Sequence, residues 1–310
     1  MSELNFEGRV AVVTGAGRGI GRAHARLLAA RGARVVVNDL GGSMQGGGAD
    51  AGPASTVAAD IVTAGGDAIA DGNDVAAPAG AQALIDAAVA RYGRIDVLIN
   101  NAGIIRWAGM PEVDADNLAA HHAVHVGGSF NTTRAAWPHM VSQSYGRIVN
   151  TSSSGIFGLL ENLSYSTAKA GVIGLTRGLM AEGAAHGIKA NVILPAAMTR
   201  MAGRSADETD ELDRADASTN AAMAPDLVAP MVAFLAHEDC PVSGEIYAAG
   251  GGRFTRIFIA STEGYVAGPD PTIEDIAQHW TTINDENGYY VPADLMSWSA
   301  TFLKHLFPPG

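Results

Sequence analysis

Arg9-Val10-Ala11-Val12-Val13-Thr14-Gly15-Ala16-Gly17-Arg18-Gly19-Ile20-Gly21 reads as a buried strand that runs through a glycine-rich turn into a helix. Its four central residues are all apolar, as in a parallel strand covered on both faces. Gly15, Gly19 and Gly21 permit a tight turn, close approach of a pyrophosphate, and packing of helix on strand. The free N–H groups at Gly19 and Ile20 would face the phosphates. A glycine turn alone is a modest signal, but between a strand and a helix it points to a dinucleotide-binding unit.

The pattern continues outward from that turn. Residues 34–38 form a second strand ending at Asp39, and residues 41–53 are a glycine-rich loop without periodicity. A helix (54–64), a strand (67–70), a helix (79–92) and a strand (95–99) follow. A long helical stretch covers 114–142, interrupted near Gly127-Gly128. Next come a strand (147–150), a helix (163–186), a strand (188–193), a helix (226–236) and a strand (245–248). The polar, acidic residues 197–224 read as a mobile segment. This alternation predicts an α/β fold: a doubly wound, parallel, seven-stranded Rossmann sheet with helices on both faces.

The predicted NAD-binding and catalytic domain is 1–252, and residues 253–310 form a C-terminal extension packed on it or on a neighbouring subunit. In that extension, Thr272 with Asp275 resembles a helix start. Ile273, Ile276, Ala277, Trp280 and Ile283 share one face, as do Leu295, Trp298, Phe302 and Leu306 in a second helix over 293–306.

Tyr165 and Lys169 stand one helical turn apart, so both side chains leave the same helix face. Ser152 lies thirteen residues before Tyr165, just after the strand. A tyrosine hydroxyl titrates near 10 and is a poor base at neutrality, but a neighbouring ammonium favours the phenolate. Lys169 is placed to supply that charge and to reach a cofactor ribose. Ser152 is placed to hold a substrate oxygen. Taken alone, Tyr-x-x-x-Lys also occurs on ordinary surface helices. Its company with Ser152 and the glycine turn gives it chemical meaning.

Asp39 ends the second strand, where a carboxylate can bind both ribose hydroxyls and repel a 2′-phosphate, which favours NAD over NADP. Arg18 is the opposing signal, because an arginine in this turn can meet a 2′-phosphate. Asp74 and Val75 follow the third strand and are candidates for contacting adenine. Asn101, in Asn100-Asn101-Ala102-Gly103, follows the fourth strand and serves the cofactor, the sheet, or both.

The net charge of −12 argues against nucleic acid or an anionic membrane surface as the main partner. Cys240 is the single cysteine, which excludes an internal disulfide and suits the reducing cytoplasm. The sequence shows no secretory leader, no apolar run of spanning length, and no Ser-Lys-Leu ending.

Together these motifs resemble the short-chain dehydrogenase/reductase family over residues 5–252. The resemblance implies that Ser152, Tyr165 and Lys169 are catalytic, with hydride transfer at nicotinamide C4. It implies a small hydrophobic alcohol or ketone as substrate, and a homodimer or homotetramer. The family's fourth catalytic residue, an asparagine, is replaced by His125, and its Pro-Gly after the sixth strand by Pro195-Ala196. Within the family, 35–42, His125 with Gly128-Ser129-Phe130, 132–137 and 155–158 are similar to the (3R)-hydroxyacyl-CoA dehydrogenase branch. A 3-hydroxyacyl-CoA is therefore the expected substrate, with a hydroxysteroid as alternative. A regulatory protein that binds NAD but is catalytically dead is the alternative from another class.

Some clusters have plainer readings. His121, His122 and His125 lack cysteine or carboxylate company, so no metal is expected. Asp207, Glu208, Asp210, Glu211 and Asp213 read as a solvated loop, with Arg200, Arg204 and Arg214 nearby in sequence. Met198, Met201, Ile156, Phe157, Leu159 and Leu160 suit either a greasy substrate pocket or core.

Overall fold

The computed structural model describes residues 3–202 and 221–307. The chain divides into two compact units, Met1–Arg256 and Ile257–Gly310.

The first unit is built on strands β1 (Val10–Thr14), β2 (Arg34–Asn38), β3 (Asp67–Asp71), β4 (Val97–Asn100), β5 (Gly146–Thr151), β6 (Ile188–Pro195), β7 (Ile246–Gly250) and β8 (Arg253–Ile257). The sheet order is β3-β2-β1-β4-β5-β6-β7-β8. Neighbours from β3 through β7 are parallel, in register such as Val13 against Ile99 and Asn100 against Asn150. The order reverses between β1 and β4, which opens a crevice above their carboxyl ends. The sheet has eight strands where the sequence predicts seven. The extra strand follows β7 after Gly251 and Gly252 alone, both at positive φ (57° and 75°). A connection that short joins antiparallel strands, and glycine gives it the required turn.

Side-chain alternation assigns the two cores. Ala11, Val13, Val35, Val37, Val97, Ile99 and Val149 pack on one face. Val10, Val12, Val36, Leu98 and Ile148 pack on the other. The first face is covered by α1 (Gly19–Ala30), α2 (Gly52–Thr63) and α7 (Ala229–Ala236). The second is covered by α3 (Pro78–Tyr92) and α5 (Gly128–Gln143), with Leu179 of α6 (Leu163–Gly183) packed on it. Continuous apolar strands thus meet helices on both sides, as their lack of polar alternation requires.

The long helical stretch is continuous but not uniform: α4 (Ala115–His121) passes through a π-helical turn, His122–Gly127, into α5. The sequence reading places an interruption there; the structure widens the helix instead of breaking it. Of the 197–224 segment, residues 203–220 lie outside those described, and the acidic cluster, Arg204 and Arg214 with them.

The second unit contains α8 (Ile273–Gln278), α9 (Trp280–Ile283) and α10 (Leu295–Phe302). Thr272 and Asp275 form a reciprocal capping box, and Asp294 with Ser297 forms a second. Tyr265 stacks on His279, and Trp298 on Phe302, at centroid distances of 3.7 and 4.6 Å. No described residue of this unit is buried, and Trp280, Leu295, Met296 and Phe307 are exposed. No helix among the described residues is long and apolar enough to cross a membrane.

Candidate functional site

The crevice at the strand-order reversal is a groove of about 910 Å³, lined by the glycine turn, Asp39, Asp74, Val75, Asn101–Ile104 and Met198–Met201. Gly15 and Gly19 hold φ of 62° and 50°, where other residues are strained. A Cβ on Gly21 would lie 2.2 Å from the Gly15 carbonyl oxygen, so helix α1 can approach the turn only with glycine there. One on Gly17 would lie 2.8 Å from Asp39 Oδ2.

The Asp39 carboxylate accepts from the backbone N–H of Gly17 at 2.8 Å and of Gly41 at 2.7 Å. It is thereby fixed at the tip of β2, facing the turn. Arg18 and Ile20 line the same groove. Asn101 donates through Nδ2 to the Thr14 and Gly15 carbonyls, each at 3.0 Å, and so braces the glycine turn from β4. Asp74 accepts from Ala76 N–H at 2.9 Å, and buried Val75 is held by Asn131. Every residue read as cofactor-binding lines this one groove except Tyr165 and Lys169. The cradle, the anchored carboxylate and the groove's volume fit a dinucleotide.

Three consecutive serines, 152–154, follow β5, and α6 delivers Tyr165 and Lys169. Ser152 does not meet Tyr165. It is 1% exposed, its N–H continues the sheet to Ile193 O at 2.9 Å, and its hydroxyl donates to Lys169 O at 2.7 Å. Ser153, whose backbone is extended at φ −160° and ψ 152°, is the serine that favours ionisation of Tyr165, and its Oγ accepts from Gly155 N–H at 3.0 Å. Successive side chains of an extended chain point to opposite faces. Neighbouring serines therefore face opposite sides, and spacing alone gives no way to choose within a run of serines.

Lys169 is buried and donates from Nζ to Thr151 O at 2.7 Å, with Nζ 5.6 Å from the centre of the Tyr165 ring. Burial lowers its pKa to about 7. Burial also raises Tyr165, against which the Ser153 hydrogen bond acts in the opposite sense. The net direction for Tyr165 is upward, with desolvation the largest cause.

His125 and His121 stack at 5.9 Å between centroids, and both rings stand nearly perpendicular to Tyr165, at 5.3 and 6.2 Å. The pair packs on Tyr165, and among the described residues no group of three or more His, Cys, Asp or Glu is placed to hold a metal. Ile156 is half-buried, whereas Phe157, Leu159, Leu160 and Leu163 are exposed on the stretch leading to Tyr165. That stretch is tied to the loop after β4 by Ala108 N–H donating to Glu161 O at 2.8 Å. Exposed Met110 lies on the same loop.

The sequence matches the short chain dehydrogenase family over residues 9–210, and the chain belongs to that family. It is 42% identical over 288 residues to the peroxisomal multifunctional enzyme type 2 of Drosophila melanogaster, covering 91% of this chain and 46% of that protein. It is 40% identical over 281 residues to a putative short-chain type dehydrogenase/reductase of Mycobacterium tuberculosis, covering 90% and 95%. The full-length Drosophila enzyme's structure superposes with TM-score 0.78 at 34% identity, covering 98% of this chain and 50% of that one. A short chain dehydrogenase from Mycobacterium avium gives 0.70 at 37% identity, covering 98% and 97%. The chain thus spans about half the length of the Drosophila enzyme. It is an oxidoreductase of CH–OH groups.

Proposed function

We propose that the chain interconverts a secondary alcohol and a ketone with NAD, using Tyr165 as acid and base, and that its substrate is a 3-hydroxyacyl-CoA. The observation that carries this reading is the meeting of Ser153, Tyr165 and Lys169 at the end of β5, beside the dinucleotide groove. Bound nicotinamide would supply the hydride acceptor or donor. Tyr165 takes the alcohol proton on oxidation and returns it to the ketone oxygen on reduction. Ser153 holds that oxygen, and Lys169 orients the tyrosine and favours its ionised form. Asp39 receives the adenosine ribose and excludes a 2′-phosphate, while Gly15, Gly19 and Ile20 offer backbone N–H groups to the pyrophosphate.

The substrate class rests on the likeness to the hydroxyacyl-CoA branch and on the apolar rim of Phe157, Leu159, Leu160 and Met110. Met198 and Met201 lie in the groove itself and suit an acyl chain. The exposed apolar faces of 257–307 favour a homodimer or homotetramer in which a neighbouring subunit covers them. Cys240, buried and free, suits a reducing compartment such as the cytoplasm.

The test is a set of initial rates with NAD and NADP on (3R)- and (3S)-3-hydroxyacyl-CoA esters and on hydroxysteroids. NADH formation on one acyl-CoA epimer, at least tenfold faster in kcat/KM than on any steroid, is the expected result (about 1.4 kcal/mol of barrier). Preference for steroids overturns the substrate assignment. NAD binding without turnover of any alcohol supports the regulatory alternative.

A further inference from the structure

The His121–His125 pair is used by none of the steps above, yet it is packed directly against their centre. His125 is 1% exposed and lies in the π-helical turn. Such a turn adds a residue to the helix and re-aims the side chains that follow. Nε2 of His125 lies 2.9 Å from Ile104 O, and it also lies 3.4 Å from Ile104 N. One nitrogen cannot donate to the first and accept from the second in a single tautomer. The shorter contact fixes Nε2 as the protonated, donating nitrogen. Nδ1 is then a bare acceptor, buried and without a hydrogen-bond partner. A second proton there would be a buried, unsatisfied N–H, so the imidazole is neutral.

The charged and titratable groups around the pair act in the same direction. Lys169 of α6, His122 of the π turn and Arg106 of the loop after β4 each disfavour a charge on one or both imidazoles. Burial lowers both, His125 well below the ordinary histidine range.

The pair also holds backbone. His121 Nε2 accepts from Arg106 N–H at 3.2 Å, while His121 Nδ1 lies 2.8 Å from Asn117 O and donates to it. The two imidazoles thus grip Ile104 and Arg106, one at each end of a three-residue segment. The other side of that segment is gripped by the glycine loop after β2. Ile105 N–H donates to Met44 O at 2.9 Å, and Arg106 Nε donates to Gln45 O at 2.7 Å. Ile104 lines the dinucleotide groove.

We propose that His125 is a positioning residue for Tyr165: a neutral imidazole whose ring keeps the phenol dry and whose Nε2–H ties it to the groove wall at Ile104. Ring and hydrogen bond have separate consequences. The ring sets the hydration of Tyr165, and therefore its proton affinity. The hydrogen bond sets the place of Ile104, and therefore cofactor affinity.

This inference rests on Tyr165 being the acid/base, and its test needs no substrate. The Tyr165 pKa is read by ultraviolet tyrosinate titration, as the difference between each protein and the same protein carrying Tyr165→Phe. NAD affinity is read by fluorescence titration, and folding by melting temperature. His125→Gln keeps an N–H for Ile104 and removes the ring. It should lower the Tyr165 pKa by about half a unit or more and leave NAD affinity within about threefold, near 0.7 kcal/mol. His125→Phe keeps a ring and removes the hydrogen bond. It should leave the Tyr165 pKa in place and weaken NAD. His125→Asn, which also removes the ring, gives the same titration reading if His125→Gln does not fold. An unchanged Tyr165 pKa in the folded ring-less variant overturns the proposal, whatever its melting temperature. A lowered pKa in a protein whose wild type oxidises no alcohol would remove the functional reading and leave the bracing of Tyr165 intact.

Discussion

The two ends of the groove are built from different materials. The cofactor end is made of backbone: glycine φ angles, free N–H groups at the start of α1, and two carbonyls braced by Asn101. The proposed catalytic end is made of side chains, Ser153, Tyr165, Lys169 and His125, brought together from the segment after β5, α6 and the π-helical turn. Backbone devices follow local sequence and tolerate no added atom. A side-chain device depends on which face each residue presents, which is set by the register of strand and helix. Damage at the two ends should therefore differ in kind, with affinity and folding lost at the first and rate lost at the second.

The largest effect should come from Tyr165→Phe, which removes the proton carrier and almost no volume. Turnover should fall by about 10²–10⁴, with NAD affinity nearly unchanged, as stopped-flow rates and fluorescence titration would show. A matching loss of affinity would dissolve the contrast between the ends.

The converse substitution is Gly21→Ala, whose Cβ would meet Gly15 O at 2.2 Å. It should destabilise the fold by about 1–3 kcal/mol and weaken NAD in the protein that remains folded. Thermal melts with and without NAD measure both.

The two serines sharpen the comparison within the catalytic end. Ser153→Ala should lower kcat by about tenfold to a hundredfold, the loss of one hydrogen bond to a charged group (about 1.5–3 kcal/mol). Ser152→Ala removes the side-chain donor to the Lys169 carbonyl and should cost about 1 kcal/mol of stability. It should have the smaller effect on kcat. Reversal of the two kinetic effects would return the substrate contact to Ser152.

Asp39→Ala should reduce the preference for NAD over NADP by about tenfold, or ~1.4 kcal/mol, in the ratio of kcat/KM values.

The smallest effect concerns pH and Lys169. Its folded pKa, about 7, lies below the ordinary lysine value of 10.5. Between those values the unfolded chain binds the extra proton, so stability rises with pH across that window. The burial cost is full below pH ~7 and is relieved as pH climbs towards the unfolded value. Lys169→Met should therefore raise the melting temperature most at or below neutrality, and the gain should shrink under alkaline conditions. A gain independent of pH would show that Lys169 is not the group that titrates.

Much of this molecule was legible in its sequence. Unbroken apolar strands such as Val10–Val13 can only lie between two layers, and strand–helix alternation with right-handed crossovers leaves few topologies. The glycine turn, Asp39 at the end of β2 and the capping box of Thr272 with Asp275 are local devices, each encoded within a few residues of chain. Tyr165 and Lys169 share a face by helical period alone.

What only the tertiary structure decided lies where segments distant in sequence meet. β8 exists because two glycines at positive φ return the chain beside β7. Ser152 and Ser153 face opposite sides because an extended backbone alternates faces, and the phase is fixed where Ser152 N–H meets Ile193 O of β6. Tyr165 is raised and Lys169 lowered chiefly by burial, and burial is a property of the assembled core. His125 reaches Tyr165 and Ile104 through a π-helical turn that local periodicity does not announce. Sequence specifies what each segment can do by itself; register and desolvation, which arise only between segments, select the atoms that meet.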